Sequence, residues 1–181
     1  MLLAARIQWN RQWALDSSIQ FNHETRESTR KTIGARYTPG DYKVLSAAYR
    51  VQRGVSEQLD LGWQWPLSDL WGSLPERMRA KAYGPGQWYS VGRVNYSIDE
   101  RKPVEIIAGF EYDAGCWLAR VVMERRQTSA TTRNQKIMFQ LEFSGFASLG
   151  GNSLKTLGDN IPRYKSLRDG EIVPSSFENY D

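Results

Sequence analysis

The strongest constraint in this sequence is a period of two. Nine segments alternate apolar and polar residues, near 2–8, 13–22, 31–38, 43–52, 57–65, 88–97, 103–112, 116–125 and 136–147. Successive side chains of a strand point to opposite faces, so strict alternation marks a strand with two unlike faces. The fifth segment is the clearest: Leu59, Leu61, Trp63 and Trp65 share one face, and Gln58, Asp60, Gly62 and Gln64 the other. In the seventh, Ile106, Ala108, Phe110 and Tyr112 oppose Glu105, Gly109, Glu111 and Asp113. In the eighth, Trp117, Ala119, Val121 and Met123 oppose Arg120 and Glu124; in the ninth, Phe139, Leu141 and Phe143 oppose Gln140, Glu142 and Ser144. No helical period competes over these stretches. Proline cannot donate to a ladder, and Pro39, Pro66, Pro75, Pro85, Pro162 and Pro174 lie outside the segments while Pro103 opens one. Gly40-Asp41, Asp99-Glu100 and Ala114-Gly115 read as short hairpin connections. The expected fold is all-β, an antiparallel up-and-down meander of about nine strands.

A meander sends its connections alternately to two ends of the sheet, and here the two ends differ. One collects Trp9, Trp13, Tyr37, Tyr42, Trp63, Trp65, Trp88, Tyr89, Tyr112 and Trp117. The other collects the charged stretches His23 to Lys31, Val51 to Glu57, Asp99 to Lys102 and Glu124 to Lys136. A soluble sandwich or lipocalin-like barrel has no reason to sort Trp to one rim. A membrane barrel has one, because amphipathic rings settle at the headgroup level. Most segments also have about the 9 to 11 residues that a tilted strand needs to cross a bilayer. The low mean hydropathy of -0.58 fits, since only alternate residues would face lipid. No run approaches the roughly 18 apolar residues of a spanning helix. The reading is part of a transmembrane outer-membrane β-barrel, with Glu and Arg on its lumenal face. Alternation by itself does not say which face of the sheet points outward; the one-sided Trp girdle decides for the apolar one. Trp63, Trp65, Trp88 and Trp117 are expected to form a periplasmic aromatic girdle, with the charged connections outside the cell.

Other classes find little support. The charge of +4 is interleaved with acids rather than gathered into a stripe, which argues against nucleic acid. The single histidine, His23, leaves neither a metal cluster nor a Ser/His/Asp set. Glu105, Glu111 and Glu142 could serve as an acid/base pair, but lumen-facing carboxylates that hydrate a pore are commoner. We therefore expect no enzyme, no metal and no cofactor. Nine strands are an odd number, the first residues carry no export signal, and Cys116 has no partner in the chain. Together these suggest that an amino-terminal portion is missing. A small porin-like outer-membrane barrel is the alternative.

Leu59-Asp60-Leu61-Gly62-Trp63-Gln64-Trp65-Pro66-Leu67 and Trp88-Tyr89-Ser90-Val91-Gly92-Arg93-Val94-Asn95-Tyr96-Ser97 resemble late strands of the LptD family of lipopolysaccharide-assembly proteins. Gly109-Phe110-Glu111-Tyr112-Asp113-Ala114-Gly115-Cys116-Trp117, then Phe139-Gln140-Leu141-Glu142-Phe143-Ser144-Gly145-Phe146, resemble it more specifically, and Ile161-Pro162-Arg163-Tyr164 resembles its tail. The resemblance implies the carboxy-terminal part of a Gram-negative outer-membrane translocon. Such a translocon works with an LptE-like plug lipoprotein. It takes lipopolysaccharide from a periplasmic bridge protein through the absent amino-terminal domain and releases it through a lateral seam. By resemblance, the strand from Lys136 to Ser148 is one side of that seam. Its Phe139, Leu141 and Phe143 would be read by the barrel-insertion machinery. Many relatives carry two adjacent cysteines where this chain has Gly115-Cys116, so by resemblance only one inter-domain disulfide carries over, from Cys116 to a residue upstream of the chain. Arg125, Arg126 and Arg133 are candidate contacts to lipopolysaccharide headgroups. The chain then divides into barrel strands over 1–148, with an inserted periplasmic loop at 71–87, and a carboxy-terminal tail over 149–181.

Overall fold

The computed structural model describes residues 2–21, 28–71, 86–127, 132–143 and 147–167. They form one antiparallel sheet of ten strands, each paired with the next in chain order. The strands are β1 (Leu2–Gln8), β2 (Trp13–Phe21), β3 (Ser28–Gly40), β4 (Lys43–Gln52) and β5 (Ser56–Pro66), followed by β6 (Gln87–Ser97), β7 (Lys102–Asp113), β8 (Trp117–Gln127), β9 (Arg133–Phe143) and β10 (Ala147–Gly150). Helix α1 (Ser68–Trp71) follows β5, and α2 (Ser153–Asn160) follows β10. No helix among the described residues is long and apolar enough to cross a membrane, which says nothing about crossing by strands.

Alternation sets the register. Residues of one face meet residues of the same face on the next strand, so Phe110 pairs with Val121 and Val121 with Phe139. A slip by one residue would turn every one of them to the other face. Tight turns close several of the hairpins among the described residues. In the β7–β8 connection Gly115 takes φ 82, in the left-handed region that costs glycine little, and its N–H donates to the Asp113 carboxylate at 2.9 Å.

Three expectations change. The ninth segment, read as one strand over 136–147, is two: β9 ends at Phe143 and β10 begins at Ala147. The apolar face of β9 stops with Phe143, since the next residue of that parity is Gly145, so nothing in the pattern extends the strand outward. Among the described residues the count is thus ten, and the argument from an odd number of strands falls. Pro39 also lies inside β3, where the β3–β4 register shifts between Tyr37 and Gly40, so its missing N–H falls at an irregular point of the ladder.

Beyond residue 148 the sequence reading placed no element. The structure has α2 there, followed by an irregular run to Leu167, and both carry core residues: Leu157, Ile161 and Tyr164 are fully buried.

Candidate functional site: the two faces of the wall

The two faces of this sheet are built the wrong way round for water. On one face Ile33, Leu45, Leu61, Phe110, Val121 and Phe139 are each at least 42% exposed. On the other, Arg93, Glu111 and Arg120 are at most 2% exposed. Soluble proteins do not bury guanidinium groups while presenting a continuous apolar sheet to solvent. Hydrocarbon on the apolar side removes the contradiction. The outward face is therefore the one carrying Leu61, Phe110 and Phe139, as the Trp rim implied.

Aromatic rings border that face at the end predicted. Trp13 packs on Tyr37 with ring centroids 4.6 Å apart, and Trp88, Tyr112 and Trp117 stack in sequence at 4.8 and 5.2 Å. Trp63 lies over Gly92, its cross-strand partner, where an added Cβ would come within 2.5 Å of the ring. Its indole N–H donates to Ser90 Oγ at 3.0 Å. Gly92 thus lets a large ring lie flat at the rim. Lys43 sits 5.7 Å from the centre of the Trp65 ring, a cation at the same level.

The inward face holds two ion networks. In the first, Arg93 donates Nε to Asp60 at 2.8 Å and Nη1 to Glu105 at 2.9 Å and to the Asn160 side-chain oxygen at 3.2 Å. Arg126 adds a donation to Glu105 at 2.8 Å, and Arg50 reaches Asp60 at 3.5 Å. In the second, Arg120 donates Nε to Glu111 and Nη1 to Glu142 at 3.0 Å. Tyr164 donates its hydroxyl to Glu111 at 2.5 Å. Burial first, and then the Glu111 carboxylate beside it, raise the Tyr164 phenol well above its ordinary range, so it stays a donor.

Asn160 and Tyr164 belong to the tail, which lies against this inward face. Val91, Gly109, Val122 and Met138 form one row in register across β6 to β9. That row is an apolar island on a polar wall, and Leu157, Ile161 and Tyr164 pack on it together with Ile107, with Leu154 at the edge. Spacing explains why: Leu154, Leu157 and Ile161 fall on one side of a helical turn. Polar clamps hold both ends. Ser153 Oγ donates to Gln140 Oε1 at 2.6 Å, and the Gln64 amide makes a two-way bond with the Lys165 backbone, at 2.9 and 3.1 Å. Leu167 closes a second cluster with Tyr89 and Leu118, next to Tyr42 at the aromatic end.

The residues singled out from sequence are thereby separated. Phe139, Leu141 and Phe143 lie on the outward face of β9, and β10 pairs with that strand only over Gln140 to Phe143. Arg125 and Arg133 line a small outward groove at the charged end, with Lys102, Pro103, Val104, Ile106 and Gln127. Arg126 does not join them, because its guanidinium turns inward to Glu105. Glu105, Glu111 and Glu142, expected to hydrate a pore, are ion-paired beneath the tail instead. Cys116 is exposed in the β7–β8 turn at the aromatic end. His23 and residues 72–85 of the inserted loop lie outside the described residues. Among the described residues no group of three or more His, Cys, Asp or Glu is placed to hold a metal ion. Sequence reasoning missed Asp60, Gln64, Arg93 and Tyr164; the i, i+3, i+7 apolar spacing from Leu154 was the signal that could have found the tail's role.

Residues 1–71 match the family described as LptD: LPS transport system D. The chain is 57% identical to the LPS-assembly protein LptD of Albidiferax ferrireducens, over 100% of this chain and 23% of that protein. It is 53% identical to the LptD of Paracidovorax citrulli, over 100% of this chain and 22% of that one. With the LptD of Chromobacterium violaceum the identity is 34% over 93% of this chain, again 21% of the relative. The chain spans less than a quarter of the length of these relatives. Full-length identity to several of them, carried on an antiparallel sheet with an outward apolar face, places this chain in the LptD family as part of a β-barrel wall.

Proposed function

We propose that this chain is a wall segment, in the carboxy-terminal part of the barrel, of a translocon that assembles lipopolysaccharide into the outer leaflet of the Gram-negative outer membrane. The observation that carries this reading is the inverted wall, apolar outward and charged inward, in a chain 57% identical to an LPS-assembly protein. The role is non-enzymatic transport. The porin-like alternative has less support, because the lumenal charges that would line a porin's water are ion-paired and covered by the tail.

Several finer roles follow from this reading. The Trp63, Trp65, Trp88 and Trp117 rim faces the periplasm. Cys116, exposed at that rim in an oxidising compartment, pairs with a cysteine of the amino-terminal domain. The outer edge of β9, left unpaired by β10 beyond Gln140, is one side of the seam, and its Phe139, Leu141 and Phe143 face is presented to the insertion machinery. An LptE-like lipoprotein and the periplasmic bridge protein are the partners of the complete protein. Arg125 and Arg133, with Lys102, contact phosphorylated sugars through charge-assisted bonds at the outer end; Arg126 belongs to the lumenal network.

The test is replacement of the full-length protein in cells depleted of their own copy. Val121→Lys, in the middle of the outward face, should cost about 2 to 4 kcal/mol of barrel stability and abolish lipopolysaccharide display. Normal display with Val121→Lys would overturn the placement of that face in lipid.

A further inference from the structure

We propose that residues 151–167 are an internal plug, a part of the chain whose function is to seal the lumenal side of this wall against water and small solutes. This goes beyond the transport reading and rests only on its barrel, whatever the barrel carries.

Three independent features point to a built device. The first is the bend. Gly150 takes φ 121, and a Cβ there would come within 2.2 Å of the Phe139 carbonyl oxygen, so only glycine permits the chain to fold from β10 onto the inward face. Gly151 N–H then donates to that same carbonyl at 2.8 Å, holding the bend shut.

The second is the receiving surface. A lumenal wall that faced water would be polar throughout. Here the Val91, Val122 and Met138 row interrupts it at the one place where Leu157 and Ile161 land. Gly109 sits within that row, and a Cβ there would meet Val121 O at 2.6 Å and the Val122 side chain at 3.0 Å, so the row is packed to its limit.

The third is the fate of the charges. Arg93, Glu111 and Arg120 are charged groups of the lumenal wall that water would hydrate if the wall were bare. The tail covers all three and bonds directly with two of them: Asn160 Oδ1 accepts from Arg93, and the Tyr164 hydroxyl donates to Glu111. A loose tail resting on a pore would leave those charges hydrated. This one takes the place of water at Arg93 Nη1 and Glu111 Oε1.

The test uses the full-length protein, with folded barrels selected by their heat-modifiable migration. Leu157→Asp places a carboxylate on the apolar row, and Gly150→Ala blocks the bend by a separate route. Both should raise ion conductance in planar bilayers. Val122→Cys alone should be protected from a membrane-impermeant maleimide by about tenfold or more relative to a free thiol, and lose that protection when combined with Leu157→Asp. Free-thiol reactivity of Val122→Cys with the tail unchanged would overturn the docking. Unchanged conductance in a folded Leu157→Asp barrel whose Val122→Cys reacts would overturn the sealing. Lipopolysaccharide display, followed in parallel, separates the readings: loss of display from barrels that remain sealed would count against the translocon and leave the plug intact.

Discussion

The inward faces of β1 to β4 and of β5 to β9 are made from the same kinds of residue and have opposite fates. Among described residues 2–52 only Val44 is buried, whereas β5 to β9 bury Asp60, Gln64, Arg93, Asn95, Glu105, Glu111, Arg120 and Gln140. Arg6 and Asp16 on the first half form an ion pair at 2.6 Å with side chains 63% and 33% exposed. Arg120 and Glu111 on the second half form one with both side chains at 0%. Strand pattern does not separate the two halves; the tail does. A polar face that is covered must pair the charges it holds, and one that is wet need not.

If that comparison is right, the largest effect comes from breaking the cover itself. Leu157→Asp removes a fully buried side chain from the island and buries a carboxylate there, at an expected cost of about 5 kcal/mol. The unfolding midpoint on heat-modifiable gels should fall sharply, while Leu15→Asp on the outward face should fail at membrane assembly instead. Equal behaviour of the two would mean that the faces do not differ.

Arg120→Met should come next, at about 3 to 4 kcal/mol, because it strands Glu111 and Glu142 without their cation. Arg120→Met combined with Glu111→Gln should recover much of that loss, since the penalty is for the uncompensated charge rather than for the missing pair. A double variant as unstable as the single one would show that the network contributes packing, not charge balance.

How much of this was legible beforehand follows from what periodicity can encode. Leu59, Leu61, Trp63 and Trp65 announced a two-faced strand, and the sorting of Trp13, Trp63, Trp88 and Trp117 to one end announced a membrane rim, because both are properties of single strands. Whether the polar face was wet was not legible, since that depends on where residues 53 to 101 positions away return in space. Gln64 clasping the Lys165 backbone is such a contact. The end of β9 was misread for a related reason: Phe143 to Ala147 contains no charge or proline to mark a break. Of the candidate arginines, the inward turn of Arg126 was in principle readable, as it shares the parity of Arg120 and Glu124 on β8.

Tyr164 tests the cover more gently. Tyr164→Phe keeps the ring in its cluster and deletes the hydroxyl that donates to Glu111, an expected loss of about 1 to 2 kcal/mol. The pH dependence has a definite sign. A phenol raised above its ordinary 10.0 in the folded state keeps its proton there after the unfolded chain has lost it. Its contribution is present below that value and lost as pH climbs above it. Unfolding midpoints of the unchanged protein should therefore fall faster above pH 10.0 than those of Tyr164→Phe, the difference between the two curves isolating this residue from the other tyrosines. Parallel curves would place Tyr164 in water.

The smallest effect belongs to the uncovered half, and it is the most discriminating. Arg6→Ala removes a cation at 2.6 Å from Asp16, closer than the 3.0 Å that separates Arg120 from Glu142. Distance alone would rank the Arg6 pair at least equal to the Arg120–Glu142 pair. Solvent reverses the order: with Arg6 63% exposed, water and salt screen the attraction and rehydrate Asp16 once the arginine is gone, and Arg36 remains 3.5 Å from that carboxylate. The cost should be under about 1 kcal/mol and vanish at high salt, whereas the Arg120→Met loss should persist at any ionic strength. Midpoints measured for both variants at low and high salt provide the check, and a large, salt-independent loss from Arg6→Ala would mean that the first half of the wall is covered too, by something other than the tail.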